Sequence, residues 1–127
     1  EVWRPSVAVV ELNEANFEAT ITDNAFVIVD FWAPWCGPCK SFAPTYDKVS
    51  EDFPDVVFAK VNTEDEQGIA ANFQIRSIPT LMIFRDNVII YSEAGALPEA
   101  QFRELVTKAG ELDMDEVRKQ IAEQQGA

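Results

Sequence analysis

Two kinds of stretch alternate along the chain: short runs that are apolar at nearly every position, and longer segments whose apolar residues return every three or four positions. Phe26-Val27-Ile28-Val29-Asp30-Phe31-Trp32 and Val56-Val57-Phe58-Ala59-Lys60-Val61 are of the first kind. Such runs predict central strands covered on both sides. Val7 to Leu12 is a shorter, β-branched strand candidate. Leu81 to Phe84 is another, joined across Asp86-Asn87 to a returning strand from Val88 to Ser92. Asn suits that turn because it tolerates positive φ.

Helices are predicted between the strands. Asn13 is placed to cap one through about Thr20, with Ala15, Phe17 and Ile21 facing inward, before the turn signal Asp23-Asn24. A stronger pattern runs from Lys40 to Phe53, with Phe42, Tyr46, Val49 and Phe53 on one face. Pro44 inside it predicts a kink, and Pro54-Asp55 ends it. Thr63 and Glu66 have the spacing of a capping box for a helix through about Phe73. After Pro98, the residues Phe102, Leu105, Val106 and Ala109 share one face, and Gly110 reads as a stop. Asp113 and Glu116 form a second capping-box pattern, opening a last helix through about Glu123 with the stripe Met114, Val117 and Ile121. The expected fold is an α/β sandwich: a mixed sheet, parallel at first and closed by a hairpin, with helices on both faces. It is read as one domain, with a tail at 1–6, a core at 7–110 and a helical extension at 111–127.

Composition narrows the function classes. With 127 residues and 47% apolar content, the chain can bury a real core. A net charge of −12 argues against nucleic-acid or anionic-membrane binding. No apolar run has the length of a bilayer span. Glu1-Val2-Trp3-Arg4-Pro5 lacks a basic n-region and a long apolar h-region, so no signal peptide is expected and the cytoplasm is the expected location. The chain has no histidine, so acid–base work falls to carboxylates, thiols or lysines.

The chemistry concentrates in Trp35-Cys36-Gly37-Pro38-Cys39-Lys40, which holds the only two cysteines. They fall between a predicted strand and a predicted helix, with Cys36 at or next to the first helical turn. Unpaired N–H groups there favour a thiolate, which makes Cys36 the better nucleophile. Cys39 lies one turn further in, within reach of Cys36 and more buried, the layout of a reversible dithiol and disulfide. A structural zinc site needs four Cys or His ligands, and a c-type haem needs His where Lys40 stands. A structural disulfide across so short a loop closes little entropy.

Asp30 is an acid inside an otherwise apolar run, six residues before Cys36. Buried there, its pKa should rise, and it could take a proton from Cys39. The plainer reading is a solvated strand-end Asp that caps the next helix. Lys60 is a lone cation in its own strand: either a counterpart near Asp30 or a lysine snorkelling at a sheet edge. The X-Pro bond of Ile78-Pro79-Thr80 has only a minor propensity to be cis. Trp35 is the expected surface contact, and Trp32 fits the core equally well.

Asp30-Phe31-Trp32-Ala33-Pro34-Trp35-Cys36-Gly37-Pro38-Cys39-Lys40, with Ile78-Pro79-Thr80 and Gly95-Ala96-Leu97 at matching distances, resembles the thioredoxin family over roughly residues 9–109. The resemblance implies that Cys36 is the exposed attacking thiol and Cys39 the resolving one. It makes Asp30 a buried acid linked to Cys39 with Lys60 near it, and Pro79 a cis-proline facing the disulfide. It implies a groove around Trp35, Gly37, Pro38, Ile78, Pro79, Gly95 and Ala96, where the Ile78 backbone pairs with an extended substrate segment. It further implies disulfide-containing protein substrates, a monomer, and re-reduction by a thioredoxin reductase that uses NADPH and flavin. The chain shows no nucleotide motif, and no cofactor or metal of its own is expected.

Three features depart from the family pattern: Ser77 where many members have Gly, Asn87 for a hairpin Gly, and the segment beyond about Gly110. Gly-Pro between the cysteines resembles the reducing members, whereas many oxidising relatives carry His there. The alternatives are an oxidase or isomerase on the same fold, a binding module in which redox is incidental, and a metal-bridged dimer through two C-x-x-C motifs.

Overall fold

The computed structural model describes residues 8–126; the expected tail at 1–6, and Val7 of the first expected strand, lie outside the described residues. Five strands, β1 (Val9–Leu12), β2 (Phe26–Trp32), β3 (Val57–Asn62), β4 (Thr80–Arg85) and β5 (Val88–Ala94), form one sheet in the order β1-β3-β2-β4-β5. β1 and β2 run parallel to β3, while β4 is antiparallel to both β2 and β5. The helices are α1 (Phe17–Asp23), α2 (Gly37–Asp52), α3 (Gln67–Asn72), α4 (Glu99–Glu111) and α5 (Met114–Gly126). The expected mixed α/β sandwich is the observed architecture.

Strand alternation sorts the apolar residues onto two faces. Val27, Val29, Phe31, Ala59, Val61, Met82 and Phe84 pack with Ile21 of α1 and Ile69 of α3. On the opposite face, Ile28, Phe58, Leu81 and Ile83 pack with Phe42, Tyr46 and Val49 of α2 and Phe102, Val106 and Ala109 of α4. Burial of both faces is why β2 is apolar at almost every position. The Tyr46 hydroxyl reaches through the second core to the carbonyls of Ile28 (2.9 Å) and Ala59 (2.7 Å). Leu12 of β1 joins the first core, so Val9 and Glu11 face the second.

Several local expectations are corrected. Asn13 does not begin α1: its Oδ1 accepts from the Ala15 and Asn16 amides in a preceding turn, the helix starts at Phe17, and Ala15 is exposed. The Thr63–Glu66 capping box does not form. Thr63 Oγ1 donates to the Trp32 carbonyl, Glu66 Oε1 accepts from the Glu14 amide, and α3 starts without a side-chain cap. Gly110 is not a stop, because α4 continues to Glu111 and ends where Leu112 turns extended. A Cβ at Gly110 would sit 3.3 Å from Cε2 of Phe26, so the glycine allows α4 to lie against the start of β2.

Other signals hold. Asp86 and Asn87 both have positive φ (51° and 68°), as a tight hairpin turn requires. Asp113 Oδ1 accepts from the Asp115 and Glu116 amides at the head of α5, although the Glu116 carboxylate accepts from Gln120 rather than completing a box. Met114 is buried and Val117 and Ile121 are half-buried, so the predicted stripe is the inward side of α5. Arg118 holds this helix to the hairpin, with Nη1 2.9 Å from Asp86 and Nη2 2.5 Å from Asp115. Among the described residues no helix is long and apolar enough to cross a membrane.

Candidate active site

The two cysteines stand where β2 hands over to α2. Cys36 is the N-cap residue with extended backbone, and Gly37 and Pro38 make the first turn, where proline's missing N–H leaves no helical bond unmade. Cys36 and Cys39 form a disulfide, with Cα atoms 5.3 Å apart. Cys36 Sγ accepts from the Cys39 amide at 3.2 Å, so one orphan donor of the helix start points at this sulfur. Such a donor, with the positive end of the helix behind it, stabilises a thiolate at Cys36 in the reduced state. Exposures of 4% for Cys36 and 2% for Cys39 leave the disulfide open only at a narrow edge.

Three segments meet at that edge. Trp35 is 67% exposed, and its Nε1 donates to Glu64 Oε1 at 2.5 Å. Gly37 and Pro38 are exposed beside it. The loop before β4 brings in Ile78, half-buried against Ala33, Cys36 and Cys39, with its carbonyl oxygen 3.8 Å from Cys36 Sγ. The Ile78–Pro79 peptide bond is cis, Pro79 is buried, and its carbonyl accepts from the Gly95 amide at 2.8 Å. That bond draws the exposed pair Gly95 and Ala96, at the end of β5, up to the proline. Gly95 has φ +114°, a conformation that needs glycine. Ser77, exposed just before Ile78, has its carbonyl accepting from Thr80 Oγ1 at 2.5 Å.

Asp30, in the half of β2 that leads to the cysteines, is fully buried on the α2 side of the sheet. Neither carboxyl oxygen has a hydrogen-bond partner among the described residues. Burial is the main cause that pushes its pKa from 3.8 to about 7, opposed by Lys60 and reinforced by Glu11 and Asp47. Lys60 is its register partner on β3, and the ammonium lies over the Trp32 ring, 5.2 Å from the centroid. It is neither solvated at a sheet edge nor clamped to Asp30.

The structure thus brings Cys36, Cys39, Asp30, Lys60, Pro79 and Ile78 to one end of β2, with Trp35, Gly37, Pro38, Gly95 and Ala96 on the rim. Two contributors were not legible in the sequence. Glu64 meets Trp35 across 29 positions. Glu11 is the β1 register partner of Lys60, a relation that only strand pairing discloses.

Comparison with known proteins agrees with this geometry. The thioredoxin family model matches residues 8–108. A Streptomyces coelicolor protein named "Putative thioredoxin 2" is 56% identical over 116 residues, covering 91% of this chain and 87% of its own. Thioredoxin of Haemophilus influenzae is 37% identical over 102 residues, 79% of this chain and 95% of its own. Among solved structures, Plasmodium falciparum thioredoxin superposes with a TM-score of 0.73 at 32% identity, covering 78% of this chain and 97% of its own. With Cys36 and Cys39 joined at the head of α2, the chain belongs to the thioredoxin family of protein-disulfide oxidoreductases and carries that family's dithiol–disulfide redox function.

Proposed function

We propose that the chain acts as a reductant of protein disulfides, with Cys36 as attacking and Cys39 as resolving thiol. One observation carries this reading: Cys36 Sγ is at the helix cap, accepts the Cys39 amide, and lies beside the Ile78 carbonyl. The Cys36 thiolate attacks one sulfur of a substrate disulfide. A Cys36–substrate bond forms, the substrate S–S bond breaks, and the first substrate thiolate leaves. Cys39 then gives its proton to the Asp30 carboxylate and attacks Cys36 Sγ. The Cys36–Cys39 disulfide closes, and the second substrate sulfur leaves as thiolate. Two electrons have passed to the substrate. A carboxyl with pKa about 7 is ionised often enough near neutral pH to accept that proton, yet basic enough to hold it.

The substrate segment lies extended along Trp35, Gly37, Pro38, Ile78, Pro79, Gly95 and Ala96, pairing with the Ile78 backbone. Lys60 tempers the field on Asp30. A thioredoxin reductase restores the dithiol, which supports electron transport and redox homeostasis. We assign the cytoplasm, where thiols are kept reduced, and a monomer. Its single domain has residues 7–110 as core and 111–127 as extension, supported by the family match ending before α5.

The test is equilibration of the pair with glutathione, read by tryptophan fluorescence. A potential at the reducing end of the disulfide scale is expected, and one near the strong oxidants overturns the direction proposed. Cys39→Ser should accumulate a mixed disulfide with a protein substrate, and Cys36→Ser should not. The reverse pattern would exchange the two roles.

A further inference from the structure

Glu11 on β1 is the register partner of Lys60 on β3, and Lys60 is the register partner of Asp30 on β2. Register partners point to the same face, so a carboxylate, an ammonium and a carboxylate form one row across the sheet. The inner carboxylate is fully buried, while Glu11 is exposed at the outer end. There it lines a solvent-open cleft of about 350 Å³ together with Asn13, Trp32, Asn62, Asp65 and Glu66. One cation therefore serves two anions, and it lies over Trp32, which also lines the cleft.

We propose that Glu11 is a positioning residue of the dithiol centre: it holds part of the field of Lys60 at the sheet edge, leaving the buried Asp30 carboxyl able to accept the Cys39 proton at neutral pH. The inference rests on the reading of Asp30 as proton acceptor. Its electrostatics involve every charged group facing the row. Asp30 meets Lys60 from β3, Glu11 from β1 and Asp47 and Tyr46 from α2. Glu11 meets Lys60, and Asp65 and Glu66 from the loop after β3. Neutralising Glu11 removes a repulsion on Asp30 and releases Lys60 toward it, and both effects favour the ionised carboxylate. Glu11 and Asp30 are two strand spacings apart, roughly 9–10 Å between backbones. A unit charge at that range corresponds to about 0.3 pH unit in water and about 1 at intermediate dielectric.

The experiment is a carbon-13 titration of the Asp30 carboxyl in the oxidised full chain. Glu11→Gln is nearly isosteric and should lower the Asp30 midpoint by about 0.3–1 pH unit. In a Lys60→Met background the same substitution should produce a smaller displacement. In stopped flow, the pH profile of mixed-disulfide resolution should move down with the midpoint, and its plateau should fall because a less basic carboxylate takes the Cys39 proton more slowly. An unmoved midpoint in Glu11→Gln, or an equal displacement with and without Lys60, overturns the proposal. An Asp30→Asn protein that resolves at the wild-type rate instead removes the proton-acceptor reading, and the role of Glu11 with it, whatever the titration gives.

Discussion

Burying Asp30 without a hydrogen-bond partner has a thermodynamic consequence that Asp30→Asn isolates. The folded protein holds this proton up to about pH 7, whereas the unfolded chain releases it near 3.8. Between those values the native state binds one proton more than the unfolded state, so stability falls as pH rises and levels off above about 7. At about 1.4 kcal/mol per pH unit, the gap is worth about 4 kcal/mol at pH 8. An amide of the same size carries no such penalty. Asp30→Asn should therefore exceed the parent by up to about 4 kcal/mol at pH 8, less whatever Lys60 loses with its counter-charge. The surplus should shrink towards nothing by pH 4. The assay is guanidinium unfolding of both oxidised proteins from pH 4 to 9, read by tryptophan fluorescence. Oxidation is essential, because free thiols would add titrations of their own. No surplus at pH 8 would refute the reasoning. A surplus of equal size at pH 4 would refute it too, by assigning the effect to packing rather than ionisation.

Other perturbations test the frame. Tyr46→Phe removes the hydroxyl between two buried carbonyls and should cost about 1–2 kcal/mol in chemical denaturation. Gly95→Ala meets no steric neighbour, so its cost is that of the backbone at φ +114°, about 1–3 kcal/mol. It should also raise KM for a protein disulfide more than it lowers kcat. Unaltered stability in that variant would mean that the strand end readjusts freely. Arg118→Gln breaks exposed ion pairs and should leave the midpoint of global unfolding nearly unchanged. Amide exchange within α5 should nonetheless become faster than in the rest of the chain.

The sequence pattern was most informative where one residue decides one environment. β2 and β3 were legible because each buries both faces, and Asp30 and Lys60 stood out as the only charges in those runs. The cysteines disclosed their helix start because they fall between an apolar run and a segment of helical period. Caps were less legible: Asn13 makes the local bonds of a cap, to the Ala15 and Asn16 amides, but they close only a turn ahead of Phe17, and Thr63 donates to the distant Trp32 carbonyl. Gly110 misled for a related reason: a glycine selected for closeness to Phe26 carries the same letter as one selected for a turn. Of the relations across strands, Lys60 near Asp30 was among the readings the sequence allowed, but Glu11 beside Lys60 was not. The row from Glu11 to Asp30 depends on register, and a slip of one residue would turn Glu11 to the opposite face.

The attachment of α5 to the Asp86–Asn87 hairpin fixes more than the helix itself. In the β2–β4 register, Arg85, next to that hairpin, pairs with Phe26 at the start of β2, while the cysteines follow its other end. Seven residues of strand separate the two ends, roughly 20 Å at ordinary strand rise. Cargo coupled through α5, whether a dye, a surface anchor or a fused protein, would hang from the opposite pole of the molecule and leave the exchange edge free to meet its partners.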